Sequence, residues 1–112
     1  MSEIFTEAQA ITIVTRLTRT RLVGFVEAEL VRPAAEAGGW TFAQADLARL
    51  ELLCDLADAF DLDGDALGVV IGLVDQLHEA RASLRAMAEA IEAEPAELRA
   101  RLGLRLVAIL GR

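Results

Sequence analysis

Lysine and tyrosine are both absent from these 112 residues, and the chain holds one cysteine, one histidine, one tryptophan and two prolines. Each shortage removes a class of protein. With Cys54 alone no intrachain disulfide can form, so a disulfide scaffold is excluded. Cys54 and His78 together are too few ligands for a zinc cluster. No run reaches 18 consecutive apolar residues, and the chain opens on Ser2-Glu3 without a basic stretch ahead of an apolar one. The expectation is no membrane span, no secretory leader and a cytoplasmic location. Ser-His-Asp sets, phosphate-cradling glycine loops and nucleotide motifs are missing too. Neither an enzyme nor a cofactor is expected.

What the chain does hold is alanine and leucine, 39 residues between them. Both lose little on entering a helix, whereas strands favour β-branched and aromatic side chains, so a mainly α fold is expected. The formal charge is −7, and it is unevenly placed. Residues 1–42 carry four arginines and five acids, residues 43–75 one arginine and eight acids, and residues 76–112 six arginines and five acids. The whole net charge therefore sits in the middle third. Phosphate binding rests on clustered cations, so nucleic acid is disfavoured and a basic protein partner suits better.

Thr6 with Glu7 can start a first helix bearing Ala8, Ile11 and Val14, although the β-branched run over 11–15 weakens it. Thr18 reads as the N-cap of a second, carrying Leu22, Phe25, Val26 and Leu30, with Pro33 beyond its end. Gly38-Gly39 beside Trp40-Thr41-Phe42 predicts a small two-stranded wing. A third helix over 43–60 places Leu47, Leu50, Leu53, Leu56 and Phe60 on its apolar side. The segment Asp61-Leu62-Asp63-Gly64-Asp65 lacks the Gly and Glu that a calcium loop needs at its sixth and twelfth positions, where Ala66 and Gly72 stand. Capping acids at the head of the next helix are its expected role.

That next helix spans about 66–92 in heptad spacing, with Val70, Leu73, Leu77, Ala80, Leu84, Met87 and Ile91 forming a seam. The seam predicts a homodimer. Glu94-Pro95 starts a last, apolar helix that needs a packing partner, carrying Leu98, Leu102, Leu106, Ile109 and Leu110 and interrupted by Gly103. The organisation expected is a winged domain over 1–63 and a dimerising helical part over 64–112.

Two charged groups are candidates for contact. Arg16, Arg19, Arg21 and Arg32 lie where a helix-turn-helix protein would meet phosphates, opposed by Glu27 and Glu29; solvated surface is the commoner role of such a patch. Glu51, Asp55 and Asp58, spaced by four and three, share one helical face. That stripe is either solvated or a docking surface for cations, with Leu62 and Leu67 as nearby apolar contacts that serve equally well as core. Cys54 has no activating base in its vicinity of sequence and is expected to be an inert thiol, and His78 flanks the seam.

In sequence order, two short helices, Leu30-Val31-Arg32-Pro33, the glycine-tipped wing, Trp40-Thr41-Phe42 and Asp46-Leu47 resemble the MerR-like winged helix-turn-helix. With Val69-Val70-Ile71-Gly72-Leu73-Val74-Asp75-Gln76-Leu77 on the long helix, the chain is similar, over about residues 4–91, to the chaperone modulatory protein family (CbpM-like). The resemblance implies a partner, the J-domain of a DnaJ-like co-chaperone of the CbpA type, whose work with DnaK such modulators inhibit and whose DNA binding they reduce. A MerR-like DNA-binding transcriptional regulator is the alternative. Glu29 stands where the winged-helix pattern usually has glycine, and residues 92–112 extend beyond the family pattern.

Overall fold

The structure, a computed structural model, describes residues 3–111; Ser2, in the opening dipeptide read above, lies outside the described residues. Among the described residues there are five helices and one three-stranded antiparallel sheet. The elements run β1 (Ile4–Thr6), α1 (Glu7–Ile13), α2 (Arg19–Glu27), β2 (Ala34–Glu36), β3 (Gly39–Ala43), α3 (Gln44–Phe60), α4 (Gly64–Glu92) and α5 (Ala96–Leu110). They form two compact units, one ending at Leu73 and one starting at Val74.

In the first unit, local chemistry sets most element ends. Thr6 and Gln9 exchange hydrogen bonds, the Gln9 N–H donating to Thr6 Oγ1 at 3.2 Å and the Thr6 N–H to Gln9 Oε1 at 2.9 Å. This reciprocal cap starts α1, and the β-branched run ends it after seven residues. Thr18 Oγ1 accepts the Arg21 N–H at 3.1 Å and starts α2. The Asp46 carboxylate accepts the Ala43 N–H at the head of α3, and Asp63 accepts the Ala66 N–H at the head of α4, each at 2.9 Å. Asp63 is therefore one capping acid of the kind the sequence suggested.

The sheet has the order β1-β3-β2, with Phe5 opposite Phe42 and Glu36 opposite Gly39. Ala37-Gly38 make the hairpin turn, and Gly39 has φ +119°, a conformation L side chains rarely adopt. The expected pair of strands thus exists as a hairpin, within a sheet whose third strand sequence reading missed. β1 is three residues long and pairs with a partner more than thirty residues away, so no local pattern announces it. Phe42, on the central strand, is fully buried. The core gathers around it from α1 (Ala10), α2 (Leu22, Phe25), α3 (Leu47, Leu50, Leu53) and the first turns of α4.

Leu67 and Ile71 are buried in that core. The first ten residues of α4 accordingly belong with the first unit, whose boundary falls at Leu73 instead of at residue 63. Phe60 is a second departure. It was expected on the apolar side of α3 but is 68% exposed. Leucines recurring every three residues fall about 60° short of a full turn at each step. Leu56 is accordingly only partly buried against the core and Cys54 is buried beside it, whereas Phe60, seven residues on from Leu53 and so on nearly the same face, is exposed because it is the last residue of α3.

The end of α2 carries a backbone cost. The Glu29 N–H donates to the Val26 carbonyl and the Leu30 N–H to the Phe25 carbonyl, the paired bonds that close a helix through a left-handed residue. That residue is Glu29, at φ 59°. It is also the position where the resemblance puts glycine. Glu29→Gly is expected to stabilise the domain by about 0.5–1 kcal/mol, the left-handed penalty of about 1–2 kcal/mol less the entropy glycine adds to the unfolded chain. Urea unfolding followed by circular dichroism should show the higher midpoint, and Glu29→Ala should not.

In the second unit, α4 continues to Glu92, and α5 follows the Ala93–Pro95 connection. The Arg99 N–H donates to the Pro95 carbonyl at 3.0 Å, so helical bonding starts directly from the proline. Gly103 does not interrupt α5, and Gly111, at φ 71°, closes it.

Candidate partner-binding surface

The acidic stripe proves to be half of an ion-pair network. Arg16, in the α1–α2 connection, and Arg21, in the first turn of α2, reach α3. Arg21 grips Asp58 with two nitrogens, Nη2 donating to Oδ1 at 2.8 Å and Nη1 to Oδ2 at 3.3 Å. Arg16 Nη1 lies 3.4 Å from Asp55 Oδ1 and 3.8 Å from Asp58 Oδ2. Arg21 Nη1 also donates to the Arg16 carbonyl at 3.3 Å, fixing the turn against the helix. The inference from sequence that few arginines balance these acids is corrected: the balancing cations arrive from 37 to 39 residues earlier in the chain. Of the stripe, Glu51 is exposed and has no ion pair among the described residues.

The hydrogen bond from Arg21 chiefly holds the Asp58 carboxyl below its ordinary range; desolvation opposes it, and the charges of Arg21 and Arg16 add to the lowering. A depressed folded-state pKa means stability that is present above the unfolded value and lost as pH falls through the folded one. The urea midpoint of the parent should therefore exceed that of Asp58→Asn at neutral pH, and the gap should close as the buffer is taken well below pH about 3.9, the ordinary aspartate value. A gap independent of pH would assign the effect to packing.

Cys54 is 1% exposed. Burial pushes its thiol pKa up, and the nearby Arg21 guanidinium pulls the other way without prevailing. The cation beside it was invisible in the sequence, yet the expected inert thiol is consistent with the net direction. A shallow cleft over this spot is lined by Val14, Thr15, Arg16, Glu51, Cys54 and Asp55. Its Arg16 and Asp55 already engage one another.

The arginines that would face phosphates are similarly committed. Arg19 Nη1 pairs with Glu7 Oε2 at 2.9 Å, and Arg16 and Arg21 pair with α3. The outer depression of α2, formed by Arg19, Thr20, Val23, Gly24 and Glu27, carries one cation and one acid. Arg32 is exposed beside the wing.

The remaining acidic charge gathers at the α3–α4 corner. Asp61, Asp63 and Asp65 are all exposed, and Asp61 and Asp65 have no ion pair among the described residues. Phe60 stands at the same corner with its ring in solvent. Sequence reading assigned Phe60 to the core and so missed it. Leu62 is half-buried against the core, and Leu67, at 4% exposure, is not accessible to a partner. Its candidacy as a contact is withdrawn, because the first turns of α4 close the domain core.

The seam residues lie on the side of α4 away from Leu67 and Ile71. Leu73, Leu77, Leu84 and Met87 are 48–65% exposed, and Val70 and Ile91 are half-buried. His78 is exposed on the same helix. No helix among the described residues is long and apolar enough to cross a membrane. Compared with known proteins, the chain matches no family model, no curated protein and no solved structure.

Proposed function

We propose that this chain is a protein-binding modulator that takes the J-domain of a DnaJ-like co-chaperone of the CbpA type and inhibits its work with DnaK. The observation that carries the reading is the α3–α4 corner, where an exposed phenylalanine is followed within five residues by three exposed aspartates, two of them without an ion pair among the described residues. An aromatic anchor inside a rim of one charge is the chemistry of a contact with a cationic helix. The J-domain, which presents such a helix, is the partner implied by the likeness in Leu30–Pro33, Trp40–Phe42 and Val69–Leu77. The working form in this reading is a homodimer paired along the α4 seam, with no nucleic acid, membrane or cofactor required.

The DNA-regulator alternative is disfavoured by charge, since three of its four candidate arginines are spent on internal carboxylates. The experiment is calorimetric titration of a purified CbpA-type J-domain into the full chain, with co-chaperone-stimulated DnaK ATPase followed in parallel. Saturable binding and loss of stimulation are expected. No heat with the J-domain, together with salt-steep binding to duplex DNA, would assign the chain to transcriptional regulation instead.

A further inference from the structure

We draw no further inference here: the strongest candidate, the apolar surface that α4 leaves open at Leu77, Leu84 and Met87 and α5 at Leu106 and Ile109, carries nothing because nothing in the structure shows what covers it.

Discussion

Replacing Phe42 by alanine is expected to remove about 3–5 kcal/mol of stability, the usual cost of deleting a buried ring and leaving its space behind. Phe42 is fully buried on the central strand, opposite Phe5, with the leucines of α3 and Ala10 of α1 sharing its core. A domain of this size is stable by only about 5–15 kcal/mol, so one ring accounts for a large fraction of the balance. Urea unfolding followed by far-UV circular dichroism reads the loss. Ile4→Ala, on the short outer strand and 64% exposed, is the control and should change stability by less than about 0.5 kcal/mol.

Phe60→Ala is expected to do the opposite. Its ring is 68% exposed, so the unfolding midpoint should hardly move. Affinity for the J-domain should fall about 30-fold, the loss of about 2 kcal/mol that marks an aromatic anchor at the centre of an interface. Titration calorimetry with the J-domain measures it. An unchanged affinity would leave Phe60 a stray surface ring and return the acidic corner to solvent. The two phenylalanines together separate folding from binding, since each variant should move one quantity and spare the other.

Much of this architecture is readable from residue types whose effect is local. Thr6, Thr18, Gly38-Gly39 and Glu94-Pro95 each act within four residues, and each marks an element end that the structure reproduces. What escapes is set by distance in sequence. Strand β1 exists only because β3 arrives beside it, and the arginines that pair with Asp55 and Asp58 come from the α1–α2 connection and the start of α2. The stripe Glu51, Asp55 and Asp58 therefore looked freer in sequence than it is. Phe60 differs for another reason: it shares a face with buried Leu53, but it stands on the last residue of α3, and periodicity does not tell where along a helix the core ends. On α4 one helix carries two apolar faces, so Leu67 and the seam residues are indistinguishable by hydropathy, though Leu67 closes a core and the seam residues are exposed or half-buried. Glu29, out of pattern in the sequence, is one of two non-glycine residues with positive φ among the described residues.

Reversing Asp55 and Asp58 would disturb the domain's own ion pairs, so the acidic charge is better tested at Glu51 on the α3 stripe and at Asp61 and Asp65 at the corner. Asparagine is the suitable replacement at Asp61, whose φ of 50° a bulkier side chain would strain. The decisive measurement is stopped-flow association with the J-domain at low and high salt, comparing the parent with Glu51→Gln, Asp61→Asn and Asp65→Asn combined. Charge steering should make the variant about threefold to tenfold slower at low salt, with the difference closing as salt screens it. Equal association rates at low salt, in a variant whose helicity and mass match the parent, would contradict an acidic docking corner.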